Sequence, residues 1–139
     1  MESEKNFRAE SEGETRRVGS DLAARLKAGD TVFLEGELGA GKTTLVRGLL
    51  AQLGHTDPVR SPTFGIIQVF ETHPPVMHAD LYRVDSYKGI GLEEYLATHV
   101  CLIEWPDRAH GLVPEGSAWT VRIEFAASGR LITVSPPRS

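Results

Sequence analysis

Three features of this 139-residue sequence predict a single α/β domain with a central mixed sheet. A β-rich run, Thr31-Val32-Phe33-Leu34, leads into a glycine-laden turn and then an amphipathic helix. A second run, Val100-Cys101-Leu102-Ile103, is apolar throughout, as in a strand covered on both faces. Trp119, Val121, Ile123 and Phe125 alternate with Thr120, Arg122 and Glu124, and Ala126-Ala127-Ser128-Gly129 then separates them from Leu131–Val134, the pattern of a C-terminal antiparallel hairpin.

Taken in order, residues 1–12 carry little pattern and are expected to form a loosely ordered arm of a domain spanning residues 1–139. From Thr15 the spacing of Val18, Leu22 and Leu26 predicts a helix, stopped by Gly29. Thr31–Leu34 is a strand. Leu45, Val46, Leu49, Leu50 and Leu53 then mark one face of a second helix, closed by Gly54. Thr63 to Phe70 and Val76 to Tyr82 read as strands, Leu92 to Leu96 as helix-like, and Val100–Ile103 as the buried strand already noted.

The turn after the first strand is Gly36-Glu37-Leu38-Gly39-Ala40-Gly41-Lys42-Thr43, which fits the P-loop pattern G-x4-G-K-[ST] at every fixed position. Glycines let the backbone turn N–H groups inward around phosphate oxygens. The following helix aims its unsatisfied N–H groups at the same anion. Lys42 reaches the β- and γ-phosphates, and the Thr43 hydroxyl suits Mg²⁺. The strand before and the helix after the loop meet the structural condition the motif requires. The expected fold class is therefore P-loop NTPase-like, a three-layer α/β fold.

Composition narrows the partners. Fifteen basic against 19 acidic residues give a net charge of −4, which argues against a domain that coats nucleic acid or anionic lipid. One cysteine excludes an internal disulfide framework. The N-terminus has no signal-peptide core, and no apolar run is of membrane-spanning length, so no membrane association and a cytoplasmic location are expected. His55, His73, His99 and His110 have no metal-ligand spacing with Cys101, so no zinc site is expected. The only asparagine is Asn6, which rules out the Asn-Lys-x-Asp loop that usually reads guanine and leaves ATP as the better nucleotide.

Hydrolysis needs a carboxylate for Mg²⁺ and a group to orient water. Glu104 directly follows the buried run Val100–Ile103, which puts it at the sheet edge where the P-loop opens, or makes it an ordinary strand-end acid. Asp80, in His78-Ala79-Asp80-Leu81-Tyr82-Arg83, is the second candidate and shares a strand face with His78; the alternative is a solvated edge acid. Thr63, in Ser61-Pro62-Thr63-Phe64, is a candidate γ-phosphate switch residue, although by itself Ser-Pro-Thr reads first as turn chemistry at a strand's start. Trp105 is either a wall of the site or a core aromatic. Little chain after Glu104 remains to build a lid or an acceptor pocket, which favours an ATPase doing switching work over a small-metabolite kinase.

With these residues in view, the chain resembles the bacterial P-loop ATPase subunit family of tRNA threonylcarbamoyladenosine biosynthesis. The resemblance rests on four motifs in order: Leu34 to Thr44, Ser61-Pro62-Thr63-Phe64, His78 to Arg83, and Leu102-Ile103-Glu104-Trp105-Pro106. It departs from the family at Ala79, where a bulkier residue is usual. The resemblance implies that Gly39, Ala40, Gly41, Lys42, Thr43 and Thr44 hold the ATP phosphates, that Thr43 and Glu104 bind Mg²⁺, and that Asp80 and Thr63 complete the hydrolytic site, with Asp80 a further metal candidate. It places Thr15 and Arg130 near the nucleotide. It also implies two related protein partners, one of which transfers a threonylcarbamoyl group to adenosine 37 of tRNAs reading codons that begin with A. tRNA is then met indirectly, and Mg²⁺-dependent ATP hydrolysis, weak in the subunit alone, resets the complex. The competing readings are a small-metabolite kinase and a nucleotide-gated binding module without hydrolysis.

Overall fold

The computed structural model describes residues 3–37, 39–56 and 66–138. Its strands are β1 (Lys5–Ala9), β2 (Thr31–Glu35), β3 (Ile67–Phe70), β4 (Val76–Asp80), β5 (Val100–Glu104), β6 (Trp119–Phe125) and β7 (Arg130–Ser135); its α-helices are α1 (Glu12–Ala23) and α2 (Lys42–Gln52). They form one seven-stranded mixed sheet in the order β1-β7-β6-β2-β5-β4-β3. β6, β2, β5 and β4 run parallel, while β7 and β3 are antiparallel to their neighbours. The α/β class with a mixed sheet and a C-terminal hairpin is as the sequence predicts.

Strand parity decides which side chains meet which layer. Val32, Leu34, Val76, Val100, Leu102, Val121 and Ile123 face α1 and α2, where they join Val18, Leu22, Leu45, Leu49 and Leu50 in one core. Fully burying a leucine such as Leu45 or Leu49 contributes about 1.5–3 kcal/mol. Met77, Ala79, Cys101 and Ile103 face the other way and pack with Leu81, Leu92, Ala109 and Leu112. Ala79, small as it is, is completely buried there. The third layer is irregular: two short 3-10 turns, Leu92–Tyr95 and Pro106–Ala109, and their connecting loops stand where α-helices would be usual.

Several boundaries differ from the sequence reading. The expected loose arm contains β1, whose residues pair with β7 from Lys5↔Val134 to Ala9↔Arg130. Helix α1 begins at Glu12, before Thr15, because Ser11 caps it: the Ser11 Oγ accepts a hydrogen bond from Glu14 N at 3.2 Å. It ends at Ala23, well before Gly29. Strand β4 stops at Asp80, since the Asp80 carboxylate accepts from the Tyr82 amide at 3.0 Å and turns the chain. The start of the predicted 63–70 strand lies outside the described residues, as does Thr63 itself. Among the described residues no helix is long and apolar enough to cross a membrane.

Candidate active site

The parallel strands all end at one edge, the usual position for ligands in α/β sheets. There β2 runs into the P-loop, β4 ends at Asp80 and β5 ends at Glu104. Asp80 and Glu104 are register partners, so the two acids end adjacent strands on the same face of the sheet, the one that packs on the helices.

The two helix starts contrast instructively. Helix α1 has its Ser11 cap and acidic residues Glu12 and Glu14 in its first turn, which satisfy its N-terminus internally. Helix α2 begins after Gly41 at φ 115°, with no side-chain cap and no acid in its first turn. Its N–H groups and dipole therefore face the loop, as anion binding requires. Only glycine holds that left-handed conformation cheaply.

Lys42 and Glu104 are almost entirely buried, at 6% and 4% exposure, and Lys42 Nζ lies 3.6 Å from Glu104 Oε1. Glu104 Oε2 accepts a 2.6 Å hydrogen bond from Nε2 of fully buried His78. Burial alone would raise the Glu104 carboxyl pKa, but the hydrogen bond and charge of His78, followed by those of Lys42, together outweigh it. The carboxyl is held below its ordinary value of 4.5. The Lys42 ammonium also lies 4.7 Å from the centroid of the Trp105 ring, which in turn packs against Tyr82 at 4.8 Å. Trp105 is the described non-glycine residue with positive φ, at 62°, and its indole Nε1 is buried without a hydrogen-bond partner. Arg108 ties this corner together, donating to the carbonyls of Leu81 and Tyr82 and lying 5.6 Å from the Trp105 ring.

Two cavities flank the loop. One, of about 210 Å³, is lined by Thr15, Gly39, Ala40, Gly41, Thr44 and Arg130, together with the turn from Ala9 to Glu12. Thr15 and Arg130 are thus brought to the loop from distant parts of the chain, and Arg130 Nε donates to Ala40 O at 2.9 Å. The other cavity, of about 620 Å³, lies over the ends of β2 and β6 and includes Lys42, Trp105, Arg122 and Phe125. Little chain after Glu104 was expected to remain for an acceptor pocket; residues 105–107 and 122–125 line this cavity together with Gly36, Glu37 and Lys42 of the loop. The sequence reading also missed the His78–Glu104 contact. It follows from a pairing the sequence does not display: β4 and β5 are adjacent and parallel, with registers His78↔Leu102 and Asp80↔Glu104 that put His78 and Glu104 on one face.

Thr43 stands in the first turn of α2, and Asp80 and Glu104 end β4 and β5; their side chains carry only oxygen ligands, chemistry that would suit a hard cation such as magnesium. Among the described residues no three His, Cys, Asp or Glu side chains converge into a metal cluster. Phosphate oxygens would have to complete the shell of any magnesium ion here.

Strand, glycine loop and uncapped helix define the class: an α/β protein with a P-loop NTPase-type core. The chain belongs to the threonylcarbamoyl adenosine biosynthesis protein TsaE family, whose family model matches residues 9–132. Relatives named tRNA threonylcarbamoyladenosine biosynthesis protein TsaE include that of Haemophilus influenzae, 38% identical over 73% of this chain and 66% of its own length. That of Bacillus subtilis is 42% identical over the same shares, and that of Treponema pallidum 37% identical over 88% of this chain and 93% of its own length. The match thus spans about two thirds of the Haemophilus and Bacillus proteins, at 66% of each. The crystal structure of Bacillus subtilis YdiB superposes with a TM-score of 0.85 at 33% identity, covering 99% of this chain and 88% of that one.

Proposed function

We propose that this chain is an ATP-binding, Mg²⁺-dependent ATPase subunit of the machinery that makes threonylcarbamoyladenosine at position 37 of tRNAs reading codons that begin with A. The observation that carries this reading is the cluster at the sheet edge: the uncapped start of α2, Lys42 on Glu104, and Asp80 beside it. The names of the TsaE relatives supply the pathway.

In this reading the backbone of Gly39 to Thr44 cradles the phosphates, and Lys42 turns from Glu104 to the β- and γ-phosphates. Thr15 and Arg130 line the side that receives the rest of the nucleotide. Thr43, Glu104 and Asp80 hold the magnesium ion, which when bound would neutralise charge on the phosphate oxygens. Whichever of the two carboxylates is less engaged with the cation orients the attacking water, and Thr63 senses the γ-phosphate. Hydrolysis then resets a complex with two related protein subunits, through which tRNA is met, in the cytoplasm.

Phosphate release from ATP, measured with and without those partners, tests this reading. Thr43→Ala and Glu104→Ala are each expected to abolish Mg²⁺-dependent release while circular dichroism stays unchanged, and wild-type turnover in both would sink the assignment. The cavity beside Lys42 favours one second reading, a kinase whose acceptor sits between Trp105 and Phe125. Labelled ATP separates the two, since a kinase leaves label on an acceptor and an ATPase leaves only inorganic phosphate.

A further inference from the structure

The geometry points to His78 as a positioning residue that anchors one oxygen of Glu104 and leaves the other for the phosphate side. The inference rests on Glu104 being the acid of the proposed nucleotide site. His78 lies on β4 in register with Leu102, and Glu104 follows two residues later on the same face. A carboxylate can only accept, so the 2.6 Å contact requires the proton on His78 Nε2, donated to Glu104 Oε2. The other oxygen, Oε1, is the one 3.6 Å from Lys42 Nζ. The two oxygens are therefore divided between two jobs: Oε2 is tied to the sheet, and Oε1 faces the loop.

The surroundings make this division the ring's main polar contribution. Its neighbours in the same layer, Val76, Leu102 and Leu34, are buried and apolar. His78 Nδ1 is buried with no hydrogen-bond partner at all. A polar side chain with one nitrogen orphaned is an expensive way to fill a core position, and its remaining bond is the one to Glu104. Asp80 does not share the task, because its Oδ1 accepts from the Tyr82 amide instead.

The consequence is directional. When Lys42 turns to a phosphate, Oε1 is uncovered while Oε2 stays anchored, so the carboxylate presents a single oriented oxygen. Without the His78 donor, Glu104 can turn both oxygens onto Lys42, which masks the cation-facing oxygen. Partners that orient ligating carboxylates in this way typically change metal affinity about 10–100-fold when removed.

The test uses the full chain, the non-hydrolysable analogue AMP-PNP, and Mn²⁺ as a spectroscopic stand-in for Mg²⁺. His78→Leu keeps the volume and removes the donor, whereas His78→Gln restores an N–H near the position of Nε2. Mn²⁺ affinity in the presence of AMP-PNP, followed by electron paramagnetic resonance, is expected to fall about 10-fold or more in His78→Leu and to return close to wild type in His78→Gln. AMP-PNP affinity in EDTA should not fall with it. Wild-type Mn²⁺ affinity in His78→Leu would overturn the inference, as would a His78→Gln variant no better than His78→Leu. Absence of Mn²⁺ binding with AMP-PNP in the wild type would instead overturn the site reading on which the inference rests. Should His78→Leu not fold, ¹⁵N imidazole spectra of the wild type decide: a hydrogen-bonded Nε2–H that persists when Mg²⁺ and AMP-PNP are added supports the inference, and its loss overturns it.

Discussion

Glu104 is an acid whose ionised form is held by two buried neighbours, and that has a consequence for pH dependence. Its pKa in the folded chain lies below the ordinary 4.5, so ionisation contributes stability that is fully present above that value and lost as pH falls through the folded pKa. Thermal melts of the wild type and Glu104→Gln should therefore differ most above about pH 4.5 and converge below it; a gap that widens on acidification would contradict the assignment. Cys101 is the opposite case. Burial alone pushes its thiol up to about 12, and its Sγ sits 3.5 Å from the Tyr95 carbonyl. Alkylation at pH 8 should be negligible in the native protein and rapid in denaturant, so fast native labelling would show that the strand opens readily. Glu104 was legible in the sequence because an acid after four apolar residues marks the end of a buried strand. The His78–Glu104 bond was not, because a sequence does not display which strands are neighbours.

At the scale of elements, the two helices are packed backbone to backbone. A Cβ on Gly48 would lie 2.0 Å from the Arg16 carbonyl oxygen, and one on Gly19 would lie 2.0 Å from that of Leu45. Both glycines sit in helices, where alanine is intrinsically favoured by about 1 kcal/mol. The clash is with main chain that cannot rotate away, so overpacking wins. Gly48→Ala should destabilise by on the order of 1–3 kcal/mol in urea melts, with a weaker hold on nucleotide because α1 carries Thr15 and α2 carries Lys42 to Thr44. A neutral or stabilising Gly48→Ala would show that the helices separate at no cost. The regular elements were legible where periodicity was strong, as in α2, β5 and β6. Strand β1 was not, since Lys5-Asn6-Phe7-Arg8-Ala9 is polar on one face and offers only Phe7 and Ala9 to the core. Its hydrogen bonds to β7, which no local pattern encodes, make it a strand. The Leu92–Tyr95 segment follows Gly91 at φ 93° and lasts a single turn, too short to reveal its 3-10 geometry beforehand.

For the whole molecule, the C-terminal hairpin is unevenly dressed: Val121, Ile123, Ile132 and Val134 are buried on the helix side, while Arg122, Glu124 and Leu131 on the opposite face are exposed. A ligand that binds the folded chain and not the unfolded one adds its binding energy to global stability. AMP-PNP with Mg²⁺ at about 100 times its dissociation constant should add about 2.7 kcal/mol and raise the melting temperature by several degrees. Thr43→Ala should lose most of that gain, and an equal gain in the variant would place the nucleotide elsewhere. The order β1-β7-β6 has one more outcome. As an edge strand of this sheet, β1 has a single neighbour, and that neighbour, β7, lies far along the chain. During synthesis Lys5–Ala9 must therefore wait, unpaired, until the far-distant Arg130–Ser135 has left the ribosome.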